Sequence, residues 1–69
     1  MERRAVSSSS VASVGWDPST RMLEIEFTSG RIYRYFDVPE IVHAGLVRAK
    51  SIGQFLNERI RDRYHFEER

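Results

Sequence analysis

The strongest constraint in this chain is the alternation of residues 22–27, Met-Leu-Glu-Ile-Glu-Phe, followed by Thr28-Ser29-Gly30 and a second run rich in β-branched and aromatic residues at 31–36. Leu23, Ile25 and Phe27 point to one side and Glu24 and Glu26 to the other, as in a half-buried antiparallel strand. Thr28-Ser29-Gly30 is the turn, and residues 31–36 form the returning strand.

The register of this hairpin decides where Tyr33 and Tyr35 go. A two-residue Ser29-Gly30 loop pairs Phe27 with Ile32 and puts both tyrosines on the glutamate face. A three-residue loop, with Gly30 in the left-handed region, pairs Phe27 with Arg31 and Ile25 with Tyr33. Both tyrosines then join Leu23, Ile25 and Phe27 on the core face. Arg34 stands opposite Glu24, an opposite-charge pair worth ~0.2–1 kcal/mol. The three-residue loop is preferred, because glycine sits last in it and the charges match.

Upstream, residues 11–16 are small, β-branched or aromatic, which suits another strand. Asp17-Pro18-Ser19-Thr20 reads as a turn, with Pro18 fixing φ and Asp17 capping through its side chain. Residues 1–9 have no period and read as a mobile arm, since serine bonds locally to backbone and competes with regular structure. Downstream, Asp37-Val38-Pro39 ends the sheet, and Pro39 suits the first position of a helix. Val42, Gly45, Leu46 and Ala49 recur at helical spacing, with Glu40, Ala44 and Arg48 outside. Ser51 opens a second helix with a capping box closed by Gln54, and its apolar stripe is Ile52, Phe55, Leu56 and Ile60. Tyr64 and Phe66 read as packed anchors, and residues 67–69 as a charged tail. The expectation is one α+β domain at 10–66, a three-stranded antiparallel sheet followed by two helices packed on one face.

Sixty-nine residues make about half of an ordinary domain. At this size folding buries only about 60% of the chain's surface. No cysteine staples the fold, yet a hydrophobic fraction of 41% and an aromatic fraction of 12% suffice for a compact core. No apolar run approaches the roughly 20 residues of a membrane span, and no signal-peptide layout is visible. The expected setting is therefore the cytoplasm, without membrane contact. The net charge of +1 is too near neutral to announce a nucleic-acid partner. The cations are nevertheless lopsided, all arginine except Lys50. Arginine grips phosphate or carboxylate in two-pronged geometry, although a coding bias gives the same composition.

An enzyme finds little here. There is no cysteine nucleophile, no Gly-rich phosphate loop and no paired-histidine metal motif. His43 and His65 lie far apart and bring too few companions for a metal site. No catalytic residue, cofactor or small-molecule substrate is indicated. Glu24 and Glu26 share a strand face, but an acid–base pair needs a pocket to split its pKa values, so they read as a solvated face. Aromatics interleaved with arginines are how several RNA-binding folds stack unpaired bases. In the preferred register Tyr33 and Tyr35 face the helices and belong to the core instead, while two glutamates on the open face repel phosphate. The other concentration of cations is Arg48 and Lys50 at the end of the first helix with Arg59, Arg61 and Arg63 around the end of the second. The default for the last three is a self-paired, solvated face with Glu58, Asp62 and Glu67. If folding gathers all five cations, they form the candidate nucleic-acid surface.

The ordered set Trp16-Asp17-Pro18, Leu23-x-Ile25-x-Phe27-x-x-Gly30, Tyr33-Arg34-Tyr35, Val38-Pro39, Ala49-x-Ser51-x-Gly53, Phe55-Leu56-Asn57, Ile60-Arg61 and Tyr64 resembles the KTSC domain. That family is named for the C-terminal extension of some lysyl-tRNA synthetases, and it also occurs alone in small bacterial and phage proteins. Tyr33-x-Tyr35 corresponds to its central Tyr-x-Tyr. His43 stands where the family usually has tyrosine and Leu56 where it usually has phenylalanine; both read as packing variations. Attachment to a tRNA synthetase implies RNA as the candidate partner, by context alone.

The leading expectation is thus a non-catalytic binding module with RNA as its candidate partner. The alternative is a protein–protein interaction module or small homodimeric accessory protein, in which self-association covers surface that so short a chain cannot bury alone. At the residue level, Ser51→Ala is expected to cost about 1 kcal/mol through loss of the helix cap. Ser51→Asp is expected to be tolerated, because aspartate caps as well and its charge suits a helix N-terminus. Chemical denaturation of both variants checks this, and equal losses would rule out a capping role.

Overall fold

A computed structural model describes residues 1–69. The alternating segment is a strand, and the three-residue turn sets its partner as expected. Gly30 has φ 94°, its N–H donates to the Phe27 carbonyl at 2.9 Å, and the Phe27 N–H donates to the Arg31 carbonyl at 2.9 Å. Ile25 consequently faces Tyr33 and Glu24 faces Arg34.

The chain runs β1 (Arg4–Ala5), β2 (Val11–Asp17), β3 (Met22–Phe27), β4 (Ile32–Tyr35), α1 (Glu40–Arg48), α2 (Ile52–Arg59) and β5 (Phe66–Glu68). The α+β class and the two helices after the hairpin agree with the sequence reading. The strand count does not. The sheet has five antiparallel strands in the order β1-β2-β3-β4-β5 rather than three. The two additional strands are short edges, one in the residues read as an arm and one formed by Phe66, read as a packed anchor, with the first two residues read as a tail. Neither carries alternation, because their order comes from backbone bonds to a neighbour already in place. Arg4 pairs with Val14, and β5 pairs with β4 through Tyr33–Glu68, Arg34–Glu67 and Tyr35–Phe66.

Within β2 the register shifts between Val11 and Ser13. This bulge at Ala12 lets Val11 and Val14, three apart, both enter the core, while Ser13 and Gly15 fall on the opposite face. The core joins Val11, Val14, Leu23, Ile25 and Tyr35 of the sheet to Val38, Leu46, Ile52, Leu56 and Ile60. Both helices therefore cover one face of the sheet.

The corner before α1 is fixed by backbone. Asp37 adopts φ 56°, and the buried Val38 donates its N–H to the Arg21 carbonyl at 2.9 Å. Its carbonyl accepts from Trp16 Nε1 at 3.0 Å. Pro39 is the N-cap of α1, one position earlier than expected, with φ −66°. Ser51 caps α2, its Oγ accepting from the Gln54 N–H at 3.2 Å. The reciprocal half of the box is absent, because the Gln54 amide instead donates to Glu58 Oε1 at 3.1 Å. No helix is long and apolar enough to cross a membrane.

Tyr35 is 2% exposed, and Tyr35→Ala is expected to destabilise by about 3–5 kcal/mol, the range for truncating a large buried aromatic. Against roughly 5 kcal/mol for so small a domain, that approaches unfolding. An unchanged denaturation midpoint would show that the residue carries no core packing.

Candidate functional site

Two surfaces gather polar chemistry. The first is the face of the sheet away from the helices. A row crosses it through Gly15, Glu24, Arg34 and Glu67, paired in that order. Arg3 lies over Gly15, where a Cβ would meet the Arg3 side chain at 2.9 Å and the Glu2 carbonyl at 2.8 Å. The missing side chain thereby opens a path for Arg3 to reach Glu24, to which its guanidinium donates a hydrogen bond. Arg34 Nε donates to the other carboxylate oxygen at 2.7 Å, and an Arg69 guanidinium nitrogen lies 3.6 Å from that same oxygen. The Glu24 side chain is only 3% exposed.

The expectation of a solvated Glu24 is corrected by this arrangement. Alternation identifies the face away from the core but not the long side chains that later lie across it. Burial alone would push the Glu24 carboxyl up; the hydrogen bonds from Arg34 and Arg3, with the attraction of both cations, outweigh it and hold the group below its ordinary value. Glu26 is half-buried and accepts from Ser13 Oγ at 2.8 Å. The arginines of this face are thus already paired.

The second surface is an open cleft of about 370 Å³ between the β3–β4 turn and α2. Phe27, Tyr33, Tyr35 and Leu56 supply its apolar wall, Ser10, Thr28 and Ser29 its hydroxyls, and Arg31, Asn57 and Arg61 its remaining groups. No carboxylate lines it. Tyr33 is half-buried, edge-on to Phe27 at 5.2 Å and stacked on Phe66 at 5.1 Å between centroids. Burial, then Tyr33 and, more weakly, the Asp62 carboxylate push the Tyr35 hydroxyl up while Arg61 opposes them, so the phenol is neutral at ordinary pH. Arg31 is held in a two-pronged pair by Glu68 at 2.9 and 3.0 Å. Arg61 donates to the neutral Asn57 Oδ1 at 3.3 Å.

The five cations expected to group are divided by α2. Lys50 and Arg59 share a shallow depression with Glu58, and the Arg59 guanidinium lies over the Phe55 ring at 5.9 Å. Arg61 lines the cleft on the other flank of α2. It also borders a shallow groove with Asp62 and Arg63 in the turn that follows. Arg48 is exposed in the last turn of α1. Arg31 and Asn57 did not emerge as site residues from the sequence reading. Their signals were present: Arg31 follows the turn glycine, and Asn57 sits in the Phe55-Leu56-Asn57 string.

A family model described as the KTSC domain matches residues 7–64. The chain belongs to the KTSC domain family. An uncharacterized protein of Stutzerimonas stutzeri is 47% identical over 58 residues, covering 84% of this chain and 82% of that one. A lysine–tRNA ligase of Nostoc is 40% identical over 53 residues, which make up 77% of this chain but 9% of the ligase. The crystal structure of a KTSC domain protein from Yersinia pestis superposes with a TM-score of 0.93 at 39% identity, covering 99% of this chain and 96% of that one. The KTSC string converges on the cleft, where Phe27, Tyr33, Tyr35, Leu56, Asn57 and Arg61 all belong to it. His43, its departure on α1, stacks on Trp16 with centroids 5.3 Å apart, consistent with a packing variation.

The Glu24 cluster gives a pH test. Because its folded-state value is lowered, the stabilisation is fully present above the ordinary value of 4.5 and is lost as pH falls through the lower folded value. Glu24→Gln keeps the shape but removes the charge, and is expected to lower stability by about 1–3 kcal/mol at neutral pH. The gap to the parent should close in acid. Thermal melts of both chains down to about pH 2 check this, and a gap independent of pH would refute the charge argument.

Proposed function

We propose that this KTSC domain is a non-catalytic binding module for single-stranded RNA, working in the cytoplasm through the cleft beside α2. One observation carries the reading: the half-buried Tyr33 and Arg61, whose hydrogen-bond partner is a neutral amide, line one cleft with no carboxylate in its wall. Unpaired bases stack on aromatic rings and arginine planes, while arginine also meets phosphate. The lysine–tRNA ligases that carry a similar segment point the same way. The net charge of +1 supplies little long-range attraction, so affinity must come from local contacts. Arg61 is the principal contact in this reading, Arg63 extends the path beyond the cleft, and Arg48, Lys50 and Arg59 serve as outer phosphate contacts.

Self-association is the second reading. It is favoured by Ile41 of α1, 80% exposed, and by Val47, 44% exposed on the same helix. It predicts a sedimentation mass near twice 8.1 kDa that persists in high salt.

The RNA reading predicts binding of a mixed-sequence single strand that weakens with added salt. Replacing Arg61 and Arg63 together by glutamine is expected to weaken all sequences alike. The plot of log affinity against log salt should flatten by about 0.7 for each phosphate contact removed. Absence of salt-dependent binding by the parent chain at low salt would refute the reading.

A further inference from the structure

The cleft is small, pre-formed and lopsided in its polar groups. Its volume of about 370 Å³ lies at the low end of the roughly 300–1,000 Å³ common for small-ligand sites. That is room for one planar group with a charged appendage. Its end is tied down by backbone: the Thr28 N–H donates to the Ser10 carbonyl at 2.9 Å. Ser10 Oγ also lies 2.6 Å from where a Cβ on Gly53 would stand, so glycine at that place lets the segment before β2 press against α2.

The two arginines differ in what they have left to offer. Arg31 gives both prongs to the Glu68 carboxylate. Arg61 is steadied by a neutral amide through one nitrogen only, and its charge is not cancelled by any side chain lining the cleft. A positive group beside an apolar, aromatic wall, with hydroxyls and an amide around it, complements a flat ring bearing an anion.

We infer that the cleft holds one nucleotide of the bound strand, its base against the Tyr33 and Leu56 wall and its phosphate on the guanidinium of Arg61. This rests on the RNA reading and adds to it a unit size and a polarity of binding. Asn57 and the hydroxyls of Ser10, Thr28 and Ser29 then face the edge of the base or the sugar. Arg31, engaged by Glu68, shapes the wall without competing for the phosphate.

Amide-resolved NMR titrations of the whole chain test the inference. Uridine and adenosine 5′-monophosphates, the matching nucleosides, inorganic phosphate, benzoate and a six-nucleotide RNA serve as separate probes. The expected result is that the RNA and both monophosphates shift amides of Thr28, Ser29, Tyr33, Asn57 and Arg61. The nucleosides should bind about tenfold more weakly, as loss of one charge-assisted contact implies. Arg61→Gln, at an exposed position that leaves the fold intact, should erase the difference between nucleotide and nucleoside. Tyr33→Leu should weaken both alike.

RNA that shifts residues near Arg48, Lys50 and Arg59 but leaves the cleft silent would overturn the inference while the RNA reading stands. Benzoate or phosphate alone binding as tightly as the nucleotides would also overturn it. Monophosphates that bind the cleft without any binding of the six-nucleotide RNA would overturn the RNA reading and, with it, the strand as the source of the nucleotide.

Discussion

A carboxylate at the centre of a sheet face, almost wholly removed from water, ties the sheet together. Glu24 lies on the middle strand, and the cations that satisfy it come from beside β1, from β4 and from beyond β5. A carboxylate so placed is costly without partners, because burial disfavours its charge. Here each oxygen meets a guanidinium, and the two edge strands are drawn toward the centre by a group neither contains. Gly15 makes the arrangement possible, since any side chain there would stand in the path of Arg3. In a domain without a disulfide and with a small apolar core, this ionic cluster links segments far apart in sequence.

The two faces of the sheet consequently do different work. On one, arginine is committed to glutamate and the charge is internally balanced. On the other, the helices seal most of the apolar surface but leave the end beside the β3–β4 turn open, where Tyr33 stays half-buried and Arg61 has only a neutral partner. Arginine-rich composition therefore says little by itself; the partner of each guanidinium decides which cation remains available to a ligand. By that standard Arg34 is structural and Arg61 is not.

Much of this was legible in the residues. The alternation at 22–27 and the terminal glycine of the turn were enough for the hairpin register, and with it the burial of Tyr35 and the pairing of Arg34 with Glu24. Helical spacing and Ser51 located both helices. What could not be read was whatever depends on a neighbour distant in the chain. β1 and β5 are too short for a period, and Glu24 looked solvated because Arg3 and Arg69 are invisible to a local pattern. The cations around α2 looked like one group in sequence, but Lys50 and Arg59 face one flank and Arg61 the other. The cleft needs the turn, β4 and α2 together, so its outline could not precede the tertiary fold, although most of its wall was already present in the KTSC string.

The strand order has a kinetic side. From β1 to β4 every strand pairs with the one just before it, so those contacts close short loops and can form quickly. β5 keeps the same order, but both helices lie between it and its partner β4 in the chain. Closing that larger loop carries the greater entropic penalty and is repaid only once the helices have docked. The stacking of Phe66 on Tyr33 and the clasp of Glu68 on Arg31 thus belong to the end of folding. The ring that backs Tyr33 and the carboxylate that holds Arg31 are therefore set beside the cleft only after the rest of the sheet is in place.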